Sequence, residues 1–133
     1  MELSKGNWLL AEFIGVKKTD IKDSFNEITY KLPECINDFM HCSHFGYLRF
    51  YDSWDWLMCV VDKIESLHPQ NNSCTQFRVK ISGKSCVILD EFINGTDYEK
   101  DFLNLYFNFH DSRRSTVWNA CVKFVQWYNL QNI

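Results

Sequence analysis

Glycine and proline are scarce in this chain of 133 residues, at five and two copies. That scarcity excludes a linker-rich tandem or a Pro/Gly-rich disordered adaptor. An excess of basic charge is missing as well: 14 Lys and Arg against 17 Asp and Glu give a formal net charge of −3. The surface as a whole therefore gives no reason to seek a nucleic-acid backbone, and only a local basic patch stays open. No window approaches the roughly 18 consecutive apolar residues of a membrane span. Met1-Glu-Leu-Ser-Lys5 begins without the charged start and apolar run of a secretory leader, so a cytoplasmic protein with no membrane contact is expected. A Gly-rich phosphate loop and a G-x-S-x-G elbow are also lacking. No enzyme is expected, and no catalytic residue or cofactor is assigned.

What the chain has in quantity is aromatic side chains, 17% of its residues, as expected of a packed globule. Its length predicts one domain spanning residues 1–133. The six cysteines, Cys35, Cys42, Cys59, Cys74, Cys86 and Cys121, read as free thiols acting as small hydrophobes, since a cytoplasmic chain of this size needs no disulfide framework.

The clearest helix signal runs from Tyr51 to Leu67. Leu57, Val60, Val61 and Ile64 recur at i, i+3, i+4 and i+7, with Trp54 a turn earlier and Leu67 a turn later. Asp52 or Ser53 can cap it, Asp55, Asp62, Lys63 and Glu65 take the remaining surface, and His68-Pro69 ends it. A second amphipathic helix follows the polar start 111–116, carried by Val117, Trp118, Cys121, Val122, Val125 and Tyr128, with Phe124 and Trp127 widening its stripe. Strands are predicted over Asn7–Val16, Glu27–Leu32, Gln76–Ile81 and Ser85–Leu89, the last two joined by a tight turn at Ser82-Gly83-Lys84. Lys17–Asp23 reads as a polar connection. Tyr47–Phe50 looks extended, and the alternation of Leu103, Leu105, Phe107 and Phe109 favours a strand after a loop. Together these elements predict an α+β domain: an antiparallel sheet of about four to five strands with two amphipathic helices packed on one face.

The central stretch Trp54-Asp-Trp-Leu-Met-Cys-Val-Val-Asp-Lys-Ile-Glu65 resembles a group of small proteins, without assigned catalytic residues, encoded by bacteriophages and mobile elements of Bacteroidetes-type bacteria. Their core reads Trp-Asp-Trp-Leu-Met-Pro-Val-Val-Glu-Lys-Ile-Glu. The similarity extends to Phe77-Arg-Val-Lys-Ile81, to Cys86-Val-Ile88 and to the stretch from Trp118 to Asn129, about a third of the chain. Cys59 replaces the usual proline, which should leave the helix less kinked. The aromatic segment from Asp90 to Phe109 departs from the group. The resemblance implies a phage-type protein acting in the cytoplasm of a bacterial host, in its sharpest form an anti-CRISPR-like inhibitor of a defence nuclease.

Cys35, His41, Cys42 and His44 invite a zinc reading, but adjacent His41 and Cys42 can hardly both reach one tetrahedral ion, and no metal is assigned. Asp52, Asp55, Asp62 and Glu65 are better explained as a solvated helix face than as paired catalytic carboxylates. A nucleophile pair such as Cys42 with His110 has no local signature. The partner-binding candidates are Phe102, Tyr106, Phe107 and Phe109 with Arg113 and Arg114. More aromatic surface stands in this segment than one strand face can hide, and it adjoins two arginines, so it combines the residue types that anchor interfaces. The expected partner is a host protein, in particular a CRISPR effector nuclease or its guide-RNA complex. The alternative is RNA binding by the same arginines and aromatics, joined by Lys17, Lys18 and Lys80, and behind it a metal-dependent enzyme centred on Cys35 to His44.

Overall fold

The structure, a computed structural model, describes residues 2–22, 28–31, 42–43, 48–68, 75–82, 85–92, 99–106 and 112–131. The fold is α+β. Among the described residues three helices, α1 (Leu3–Ile14), α2 (Trp54–Glu65) and α3 (Arg113–Gln131), accompany six strands: β1 (Lys17–Lys22), β2 (Ile28–Lys31), β3 (Cys42–Ser43), β4 (Thr75–Ser82), β5 (Ser85–Phe92) and β6 (Glu99–Tyr106). The expected single sheet of four to five strands is replaced, among these residues, by two three-stranded antiparallel sheets, ordered β1-β2-β3 and β4-β5-β6. The chain forms two compact units, Met1–Val60 and Val61–Ile133, with the division inside α2.

In the first unit the predicted strand Asn7–Val16 is a helix. Trp8 to Ile14 is apolar at every position but Glu12, and an unbroken apolar run fits a strand and a buried helix equally well. The decisive residue is Gly15, which takes φ 94°. It closes a Schellman motif in which the Gly15 N–H donates to the Glu12 carbonyl at 3.2 Å and the Val16 N–H to the Ala11 carbonyl at 2.9 Å. Leu10, Ala11 and Val16 are buried, so the same turn packs an apolar contact. Asn7 ties α1 down by donating from Nδ2 to the Leu48 carbonyl at 3.2 Å. Lys17–Lys22, expected as a connection, is a strand because β2 pairs with it, Lys17 opposite Lys31 and Lys22 opposite Ile28, with an irregular register between. Phe50, expected as extended, lies in a turn before α2.

α2 begins where expected. The Ser53 carbonyl accepts the Leu57 N–H at 3.1 Å, which seats Ser53 at the cap position. Asp52 instead takes Arg49 Nε at 3.3 Å. Phe50 and Trp56 meet edge to face, with ring centroids 5.2 Å apart at 81°. The helix runs unbroken through buried Cys59.

The second unit is built on the β4–β5 hairpin, whose register runs without slip from Thr75↔Phe92 to Ser82↔Ser85. Residues opposite one another share a sheet face, so Phe77, Val79 and Ile81 lie on the face of Ile88 and Cys86. Phe77, Cys86 and Ile88 are buried, while Arg78 and Lys80 on the other face are exposed. α3 adjoins β5 and β6. Phe124 and Trp127 of α3 close on Phe77 at 4.9 and 6.0 Å. The helix is buried around most of its circumference, Asn119, Lys123 and Gln126 forming a narrow exposed stripe.

The outer edge of β4 is covered. The Phe77 N–H donates to the Leu67 carbonyl at 3.3 Å and the Val79 N–H to the Glu65 carboxylate at 3.1 Å. The end of α2 thereby occupies donors that would otherwise template a further strand.

Candidate functional site

Of the six partner-binding candidates, the two arginines have described side chains. Their helix end is fixed from Ser112. Its Oγ accepts the Ser115 N–H at 3.0 Å, and its carbonyl accepts the Ser115 hydroxyl at 2.9 Å, the Thr116 hydroxyl at 3.3 Å and the Thr116 N–H at 3.2 Å. Ser115 and Thr116 are buried, so these bonds satisfy hydroxyls that would be costly to leave unpaired. The start of α3 cannot slide without breaking them. Arg113 is exposed and Arg114 half-buried at the first two helical positions, and Arg114 has partners within the protein.

No acidic residue stands in the first turn of α3. A helix N-terminus carries about half a positive charge from its aligned peptide dipoles, so a cation there opposes the dipole. An arginine at this position works against helix stability and adds to a field suited to anions: phosphate or carboxylate groups of a partner.

Tyr106 ends β6 opposite Ser85, and Phe102 falls where the register slips between Ile88 and Leu89. The slip is a β-bulge, one residue of β6 without a counterpart on β5. It moves Leu103 and Leu105 opposite Ile88 and Cys86. The row of register positions through Ser85 and Val87, both half-buried, passes through Asn104 and Tyr106. The strand covers 99–106, so Phe107 and Phe109 lie outside the described residues. So do Cys35, His41, His44 and His110; Cys42 lies in β3.

The remaining chemistry-bearing groups resolve into structural roles. Asp55, Asp62 and Lys63 are exposed on α2 as expected, whereas Glu65 is half-buried against the β4 edge. Cys59, Cys86 and Cys121 are buried free thiols. Desolvation pushes the Cys86 thiol up to about 11. The same burial, reinforced by Cys86, raises Cys121. A thiolate at either is disfavoured, which makes these two core residues and not nucleophiles. Among the described residues no group of three or more His, Cys, Asp or Glu could hold a metal ion, and no helix is long and apolar enough to cross a membrane.

One exposed feature was read differently from sequence. Trp54, expected on the buried face of α2, is 37% exposed, as is Met58 one turn on, while Trp56 is 8% exposed. The buried arc is centred nearer Val60 than the Trp54–Leu57–Val61 row suggests. The signal was the i, i+4, i+8 spacing of Trp54, Met58 and Asp62, which ends on a charge. Set against protein-family models, curated proteins and solved structures, the chain matches none.

Proposed function

We propose that this chain is a small non-enzymatic interaction protein of phage or mobile-element type, acting without a cofactor in the cytoplasm of a bacterial host. Its sharpest form is an anti-CRISPR-like inhibitor that binds a defence nuclease or its guide-RNA complex. The observation that carries the reading is the exposed Arg113 beside Arg114 on a rigidly capped helix start with no acidic residue in the first turn. The exposed Arg113 cation opposes the local dipole, a placement that suits an anionic partner surface. Tyr106 and Phe102 on the neighbouring β6 supply aromatic positions of the kind that anchor interfaces. The exposed Trp54 and Met58 are of the same residue classes. The phage and anti-CRISPR specification rests on the resemblance of the α2, β4–β5 and α3 segments.

The test is capture of partners from a host lysate with the parent chain and with Tyr106→Ala and Arg113→Ala, alongside an interference assay. A nuclease or guide-RNA complex retained by the parent, lost by both variants and accompanied by loss of interference is the expected result. Retention of naked RNA in place of a protein would favour the RNA-binding alternative. Unimpaired interference with no retained partner would remove the inhibitor reading.

A further inference from the structure

The end of α2 imitates a strand on the outer edge of β4. β4 closes one side of the β4-β5-β6 sheet, and on its outward side the Phe77 N–H donates to the Leu67 carbonyl at 3.3 Å and the Val79 N–H to the Glu65 carboxylate at 3.1 Å. The two contacts run in the order of an antiparallel partner, Leu67 on Phe77 and Glu65, two residues back, on Val79. The imitation is half complete, because an antiparallel strand exchanges donors as well as acceptors with the residues opposite it. The Leu67 N–H turns back to the Ile64 carbonyl at 3.1 Å, the Glu65 N–H lies within α2, and an ionised carboxylate brings no donor. A strand in place of the α2 end would keep both β4 donors bonded and return hydrogens to the Phe77 and Val79 carbonyls.

The two faces of β4 define the composition of such a strand. Val79 and Ile81, on the face of Phe77, Cys86 and Ile88, are half-buried, while Arg78 and Lys80 on the opposite face are exposed. Side chains of an added strand stand beside these same two rows. The row beside Val79 and Ile81 is apolar, since it finishes covering them; the row beside Arg78 and Lys80 is acidic, since opposite charges across a strand pair are favourable. We propose that the outer edge of β4 is a strand-addition site for an extended segment of a partner protein in which acidic and apolar residues alternate, held shut by the Glu65 and Leu67 contacts until that segment displaces them.

A second copy of the chain fits this edge poorly. The antiparallel registers that overlap most of β4 with itself are centred on Arg78 and on Val79. The first puts Arg78 opposite Arg78 of the copy, and the second puts it opposite Lys80 of the copy. Like charges directly opposite are destabilising, so the strand is marked against its own kind and towards an acidic one. This inference concerns other residues than Arg113 and Arg114 and does not rest on the inhibitor reading.

The probe is a labelled, end-blocked peptide of alternating Glu and Val, about seven residues long, titrated into the full chain and followed by fluorescence anisotropy. Binding should slow hydrogen exchange at the Ile81 amide, the next outward position of the edge after Val79. Glu65→Ala removes one of the two contacts that compete with the peptide, so the apparent affinity should rise about fivefold or more. Arg78→Gln/Lys80→Gln, at exposed positions, should weaken binding at least about threefold. Neither a peptide alternating Lys and Val nor the Glu–Val peptide with Pro at its central Val should compete, the first having the wrong charge and the second lacking a ladder donor. Should Glu65→Ala fail to fold, binding by the parent, Ile81 exchange and the Arg78→Gln/Lys80→Gln variant decide. No binding by either chain at about 1 mM peptide, unchanged exchange at Ile81, a folded Glu65→Ala that binds no tighter, unchanged affinity in Arg78→Gln/Lys80→Gln, or equal competition by either control peptide would each overturn the proposal. So would dimerisation of Glu65→Ala without peptide, which would make a second copy the occupant.

Discussion

Reversing the charge of Arg113 should stabilise the fold while destroying partner capture, a pairing of opposite effects that a merely structural residue would not give. Arg113 opens α3, its side chain is exposed, and no acid in the first turn compensates it. A charge at a helix end is worth about 0.3–1 kcal/mol at an exposed site in low salt, so the swing from cation to anion in Arg113→Glu spans roughly 0.6–2 kcal/mol. Its exposure argues for the lower part of that range, about 1 kcal/mol. Arg and Glu have nearly equal helix propensity, so no opposing intrinsic term enters. For a domain of this size 1 kcal/mol moves the thermal midpoint by roughly 3–5 °C. The assay is a thermal melt followed by circular dichroism in low salt. The same melt at about 1 M salt, where the Debye length is near 3 Å, should show most of the gain gone. Arg113→Gln should give about half the gain, by removing the unfavourable charge without adding a favourable one. A variant that melts at or below the parent in low salt refutes the reasoning, because Arg113 would then be stabilising α3 through a contact of its own.

Leu57→Ala or Ile64→Ala, at fully buried positions of α2, should each cost roughly 2–5 kcal/mol in urea unfolding through the cavity left behind; a loss under about 1 kcal/mol would mean the site collapses freely. Gly15→Ala should cost roughly 1–2 kcal/mol, and Gly15→Asn less. An added Cβ meets nothing within 4 Å, so the penalty is backbone strain alone, and a much larger loss would expose a steric cause. Glu65→Ala should cost roughly 1–2 kcal/mol by orphaning the Val79 N–H, with faster hydrogen exchange at that amide as the specific readout; Glu65→Gln keeps an acceptor and should preserve most of the protection. At alkaline pH the unfolded thiol ionises near 9.0 while Cys86 in the fold holds its proton to about 11. The unfolded state then binds fewer protons, so stability is intact below that window and falls across it by up to roughly 1.4 kcal/mol per pH unit for each such thiol. Replacing Cys86 and Cys121 together by Ala should flatten that decline, and an identical slope would show that other groups carry it.

Periodicity located the elements whose patterns are unambiguous. α2, α3 and the β4–β5 hairpin each bury one set of residues and expose another, and Leu57, Val60, Val61, Ile64, Trp118, Val122 and Val125 are all in the core. It failed where a stretch was uniformly apolar or uniformly polar. Trp8 to Ile14 satisfied the strand period because it satisfied nearly every period; the helix was legible only from Gly15 acting as a terminator. Lys17–Lys22 carries no alternation, since it is an edge strand set by its partner and not by burial. Nor could the sequence say that the six described strands divide into two sheets of three, because every ladder joins strands consecutive in the chain and nothing local marks where one sheet stops and the next begins. Phe102 shows the same limit at finer scale: strict alternation through 102–106 assumes an unbroken ladder, and the bulge resets the phase.

The candidate partner surface was legible only in part. Arg113 and Arg114 are adjacent in sequence and could be singled out as a pair, but that the exposed Arg113 opposes the dipole of its own helix follows only once the helix is known to start at Arg113. It is a local choice that opposes the stability of the element that holds it. Elsewhere propensity, capping and burial agree: Gly15 where φ is positive, Ser112 where a cap is needed, Glu65 where an edge donor needs an acceptor. In a chain whose residues otherwise serve the fold, a residue that works against its own helix or sheet is explained by something outside them. That places the search for partners at Arg113 before Trp54 and Met58, whose partial exposure breaks no rule of the helix they occupy.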